Sequence, residues 1–252
     1  MKLFFLSFFA PFFVCFSIHG QGLSGLIKNA SKKDSSGKTS VNKVLGMPGG
    51  KSVLSSEEII SGLKEALTVG SERSANKLSA VNGFFKDAAI KILMPAEAQK
   101  TEKTLRNLGM GKQVDNAILS MNRAAEDAAK SAAPIFINAI KGMSFQDALG
   151  ILKGSDNAAT IYLKDKTALS LTEAFRPVIE SSLAKVGATK HWNTVFTTYN
   201  KFSADKVNPD LSAYVTEKAL AGIFFQVAQE EQKIRKDPMA RTSDILKKVF
   251  SN

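Results

Sequence analysis

From Leu54 onward, apolar residues recur every three or four positions along almost the whole chain, the spacing of helices that turn one face to a core. Ile60, Leu63, Leu67, Leu78 and Val81 form the first stripe, which runs through Gly70 toward a stop at Gly83. Its start carries strong signals. Ser55 can cap, Glu58 stands where a capping box needs an acid, and Leu54 can staple onto Ile59. Residues 84–94 break the pattern and are expected to be extended, because the residue before Pro95 is pushed out of the α region. A second helix is expected from about Ala96 to Leu108, ended by Gly109. A third begins near Lys112 and carries Val114, Ile118, Met121, Ala125, Ala129 and Ala132 on one face, small enough to let a neighbour approach closely. Pro134 should break or kink it ahead of Ile135–Lys141.

The second half follows the same rule. Gly142 stops one helix, and Ser144 with Asp147 caps the next, a short one holding Leu149, Ile151 and Leu152 and ended by Gly154. Ser155 or Asp156 is expected to start the helix of Ala159 and Tyr162, and a further helix covers Leu169–Val186 with an irregularity near Pro177. Trp192, Val195, Phe196, Tyr199 and Phe202 mark another; Asn208-Pro209 opens the longest late helix, and Thr242 caps a terminal one. No stretch alternates with period two long enough for a strand, and no fixed-period repeat is visible. The fold class expected is all-α, a single bundle of about eight to ten helices over residues 54–252.

The N-terminus is built differently. Lys2 precedes an apolar run from Leu3 to Ile18, a length that suits a secretory signal peptide over residues 1–20 and is short for a membrane span. Cleavage is expected between Gly20 and Gln21, giving an exported, periplasmic protein. Cys15 is the only cysteine, so the mature chain has no disulfide, thiol nucleophile or thiolate metal site. Between Lys28 and Val53 there are six lysines and one aspartate, whereas from Leu54 onward 27 Lys and Arg face 22 Asp and Glu. Half of the mature charge therefore sits on a flexible Ser/Lys/Gly-rich linker, residues 21–53, that lacks the apolar surface to fold. The folded part is only mildly basic. Weak contact of the tail with an anionic membrane is one expected consequence.

Several chemistries are excluded on residue supply. His191 is the only histidine left after cleavage, so a histidine-rich metal site within one chain is impossible. It stands beside Trp192 at an expected helix start and reads as a capping or surface residue. Gly46 to Ser52 looks like a phosphate-binding loop but is one residue short and follows no strand. Gly150 and Gly154 have small-xxx-small spacing in a segment too short and polar for a membrane face. Nucleic-acid signatures are absent.

What remains is a set of polar residues on otherwise apolar helix faces. Asn122, Arg123 and Glu126 flank the Met121–Ala125 stripe at spacings that let them meet. On the late helix two apolar lines run into charge at Glu230 and Glu231. Buried carboxylates must be paired, so Arg235 is expected to bind Glu231 or cross to Glu126, with Asn122 satisfying backbone. Asp147, Asn157 and Tyr162 could join the same network. Two carboxylates sharing a dry site would suit acid/base work or an oxygen-ligated metal; an ion-pair network that fixes helix register is the favoured reading.

Asn122-Arg-Ala-Ala-Glu126, the run from Ala139-Ile140 to Asp147-Ala148, Ala159-Thr160, and Ile234-Arg235 with Asp237-Pro238 together resemble a bacterial family designated domain of unknown function 4197. The resemblance covers most of Leu54–Phe250, implies an exported bacterial protein, and brings no catalytic residue, cofactor or substrate. The function expected is non-catalytic binding of an apolar small molecule or an envelope protein, with no cofactor and no metal. Phe84, Phe85, Phe136, Phe224 and Phe225 are the candidate groove lining, against ordinary core. The alternative is an enzyme that uses the carboxylate and arginine groups with Mg²⁺ or Ca²⁺.

Overall fold

The computed structural model describes residues 55–202, 206, 208, 210–237, 239 and 247, with backbone alone for 191, 194, 195, 198, 199 and 202. The signal segment, the linker with Gly46–Ser52, Leu54 and the Thr242 cap lie outside the described residues, as does the His191 side chain. Every regular element described is helical, so the chain is all-α. The expectation of eight to ten helices extends to residues outside those described.

Helix α1 spans Ser56–Ser79 and opens on the expected capping box, Ser55 with Glu58. A 3₁₀ turn, Ala96–Ala98, leads into α2, Gln99–Asn107, and then α3, Gly111–Ala129. Helices α4, Ala132–Lys141, and α5, Phe145–Lys153, follow. Next come α6, Ala158–Lys185, α7, Ala188–Phe202, and α8, Leu211–Lys236. Helix α6 lies between α8 and α3, and α1 packs across α3, α4 and α8. Leu63, Leu78, Phe136, Leu163, Leu171, Phe175, Ile179 and Ile223 join in one continuous core.

The structure corrects several boundaries. Helix α1 stops at Ser79 because Ala80 is extended (φ −70°, ψ 154°), which leaves Val81 out of the stripe and exposed. Residues 84–90 are not extended. They form successive turns, with Asp87 N–H donating to Phe84 O and Ile90 N–H to Asp87 O. Pro134 sits in the first turn of α4, where a helix has no intrahelical use for its N–H, so it begins a helix instead of kinking one. The two helices expected around Tyr162 and Leu169 are one, α6, because Leu163, Thr167 and Leu171 stay buried at helical spacing; the helix also runs on through Pro177. Asp210, not Asn208-Pro209, caps α8, its Oδ1 accepting from Ala213 N–H at 2.9 Å.

The five phenylalanines are mostly core. Phe84 and Phe136 are fully buried, and Phe136 meets Phe224 edge-on with centroids 5.9 Å apart. Phe85 is half-buried beneath the Lys91 ammonium, 4.2 Å from its ring centre. Phe225 is 40% exposed beside a smaller cavity of about 340 Å³. Phe84 enters the core over Gly222, where a Cβ would stand 2.4 Å from its Cε1. Gly222→Ala is therefore expected to cost about 1–3 kcal/mol, since the fully buried Phe84 ring would have to shift. A lower urea midpoint at unchanged m-value would show it.

Candidate functional site

The polar residues of α3 hold the irregular segment between α1 and the 3₁₀ turn. That segment has no helix or sheet to satisfy its backbone, so side chains must do so. Glu126, 3% exposed, accepts from the N–H groups of Phe84 and Phe85 through Oε1, at 3.1 and 3.2 Å. Its Oε2 binds Arg123 at 2.5 Å, and Arg123 reaches on to Asn82 Oδ1 at 2.9 Å. Asn82 has a φ of 71°, a left-handed geometry that asparagine tolerates better than most residues. One turn earlier on α3, Asn122 closes a two-way bond with Ile92: N–H to Oδ1 at 2.9 Å, and Nδ2 to O at 2.8 Å. Nδ2 also donates to Ile118 O at 2.8 Å. Its side chain is fully engaged.

The carboxylate of Glu231 does the equivalent work at the start of α6. Neither Ser155 nor Asp156 caps this helix, and Asn157 at the cap position makes no side-chain cap bond. Instead Glu231 Oε1 accepts from Ala159 N–H at 3.0 Å, and Oε2 from Thr160 N–H at 2.9 Å and Thr160 Oγ1 at 2.8 Å. These are the N–H groups that a local cap would take, and a negative charge there also suits the helix dipole. Arg235 binds Glu231, with Nε at 3.0 Å and Nη2 at 2.9 Å, and donates to Ile151 O near the end of α5 at 2.8 Å. One ion pair thus closes the end of α5 and the start of α6. Arg235 bonds to Glu231, the first of its two expected partners.

The remaining candidates fall elsewhere. Glu230 binds Lys233 at 2.6 Å and lies beside Gln226, whose Oε1 accepts from Lys77 at 2.7 Å. Asp147 completes the capping box with Ser144 that starts α5. The Ser144 hydroxyl and N–H hold its carboxyl below the ordinary value of 3.8. Tyr162 sets its hydroxyl 3.5 Å from Ala139 O, and burial pushes its pKa up. Asn157 meets Ser155 at the surface. Glu126 and Glu231 have their oxygens occupied by backbone and arginine donors, the arrangement of a clamp. Among the described residues no cluster of three or more His, Cys, Asp or Glu is placed to hold a metal ion.

A space of ligand size opens elsewhere. Between the 3₁₀ turn, α2, α3 and α7 lies a groove of about 510 Å³. Buried Val114, Met121 and Leu211 line it together with Trp192 and Phe196, whose rings are tilted by 47° with centres 4.3 Å apart. The Trp192 indole is fixed by a bond from Nε1 to Asn208 O at 3.1 Å. Met110 and Val186 stand at its mouth, 39% and 60% exposed. Helix α2, which has no buried residue, packs on α3 and is tied there by Arg106, bonded to Glu102 at 2.9 Å and Asp115 at 2.8 Å. The groove has one exposed edge helix and an apolar interior, the general form of a small-molecule site. None of the five candidate phenylalanines lines this groove; its aromatic residues are Trp192 and Phe196.

The sequence pattern of a family described as protein of unknown function (DUF4197) matches residues 53–251. The chain belongs to this family. Comparisons with curated proteins and with solved structures found no match. Within this DUF4197 chain, Asn122, Glu126, Thr160 and Arg235, which carried the resemblance, are clamp residues. No described helix of the DUF4197 chain is long and apolar enough to cross a membrane.

Proposed function

We propose that this chain is an exported, non-catalytic binding protein of the bacterial cell envelope, and that it holds an apolar small molecule in the groove between α2, α3 and α7. The groove itself carries the reading: about 510 Å³ of space, bounded by buried apolar side chains, with apolar residues left in water at its mouth. Exposed apolar surface beside a cavity is the usual mark of a ligand entrance. Export is supported by the apolar run Leu3–Ile18 behind Lys2. The clamps at Glu126 and Glu231 support the non-catalytic side of the reading, because their carboxylates are spent on backbone.

Trp192 is the only tryptophan in the chain and lines the groove, so its emission reports occupancy directly. Titration of the chain from Gln21 with N-phenylnaphthylamine, a neutral apolar fluorophore, is expected to quench Trp192 saturably. Ala117→Phe, which puts a ring into the groove, should weaken that binding by about tenfold or more while leaving the helical circular dichroism intact. The absence of saturable quenching in the unsubstituted chain would overturn the reading.

A further inference from the structure

We infer that the groove selects uncharged amphiphiles, an apolar body with a hydroxyl, amide or ester head, over the corresponding carboxylates; this rests on the groove being a ligand site. The charge distribution along its walls carries the inference. Among the described side chains that line it, Glu102 is the one charged group, and no lysine, arginine or histidine is among them. Arg106 does not line the groove; it donates from Nε to Glu102 and from Nη2 to Asp115. An anionic head entering the groove would lose its water and find no cation among the described lining side chains to replace the lost hydration. A cationic head fares little better, because the Glu102 charge is already neutralised by Arg106.

Neutral polar groups are supplied in order. On α3, Gln113, Asn116 and Ser120 fall at the three- and four-residue spacing that puts them on one face, and all three line the groove. Val114, Ala117 and Met121, each one residue further along, form an apolar stripe beside them. Two amides and a hydroxyl offer both donors and acceptors, and the Ser120 hydroxyl, which donates to Asn116 O at 2.8 Å, keeps its own lone pairs for an incoming donor. A head group that both donates and accepts is matched by this wall. The apolar body then lies along the second stripe, against thioethers from Met94, Met110 and Met121, which adapt to chains of varied shape.

The test compares three ligands with one twelve-carbon chain, monododecanoyl glycerol, dodecanoate and dodecylammonium. Each is titrated at pH 8 below its critical micelle concentration and read by Trp192 emission. The glyceryl ester is expected to bind about tenfold or more tighter than either ion. In Glu102→Gln, which frees Arg106 from one partner, dodecanoate should gain about threefold to tenfold while the ester changes little. Binding of dodecanoate or dodecylammonium as tight as the ester would overturn the selectivity and leave the groove a ligand site. No saturable binding of any of the three would overturn both.

Discussion

Replacing Glu231 with alanine is expected to remove about 3–5 kcal/mol of stability, because the change strands several groups at once. Ala159 and Thr160 would lose the acceptor for their N–H groups in the first turn of α6, where Asn157 makes no side-chain cap bond. Arg235, only 13% exposed at its side chain, would lose its carboxylate partner while its Nη2 still reaches for Ile151 O. Loss of one member of a buried pair costs more than the pair contributes, since the survivor keeps its desolvation penalty. Glu231→Gln should fall between the two, as the amide keeps one acceptor for the helix N-terminus but no charge for Arg235. Urea unfolding of both variants checks the order. A loss below about 1 kcal/mol for the alanine variant would mean that α6 finds another cap.

Glu126→Gln is expected to cost about 2–3 kcal/mol, and here the sign matters as much as the size. A carboxylate kept for chemistry is often neutral or even stabilising to remove, because its charge works against the fold. Glu126 works for the fold: it accepts from Phe84 and Phe85 and binds Arg123. A glutamine must turn its NH₂ toward one set of donors whichever way it faces. Arg123 is partly exposed and recovers some water, which keeps the cost below that at Glu231. Besides the lower urea midpoint, hydrogen exchange at the Phe84 and Phe85 amides should accelerate relative to the core of α6. A variant as stable as the parent would return Glu126 to the list of candidate reactive groups.

The features legible in the sequence were those whose partners lie within a helical turn or two. The capping boxes at Ser55–Glu58 and Ser144–Asp147 follow from three-residue spacing, as does the Arg123–Glu126 pair. The burial of Asn122, Glu126 and Glu231 followed from charge interrupting apolar stripes. Their partners did not, because Glu231 caps a helix that begins 73 residues earlier at Ala158 and Asn122 binds Ile92 across 30 residues; no periodicity reports such a crossing. The groove was not legible for a similar reason. Its walls come from five elements, the 3₁₀ turn, α2, α3, α7 and the start of α8, which no local spacing brings together. The merging of two expected helices into α6 shows the opposite error. Lys164 and Asp165, exposed between buried Leu163 and Thr167, are the water-facing side of a single helix.

The remote cap on α6 also sets a timetable for synthesis. Thr160 leaves the ribosome 71 residues ahead of the carboxylate that satisfies it, an interval of roughly 4–14 s at ordinary bacterial elongation rates. Helix α8, which brings that carboxylate, packs on α6, α1 and α3, so the emerging chain cannot finish its core until its last quarter has been translated. A chain truncated before Leu211 should therefore remain protease-sensitive.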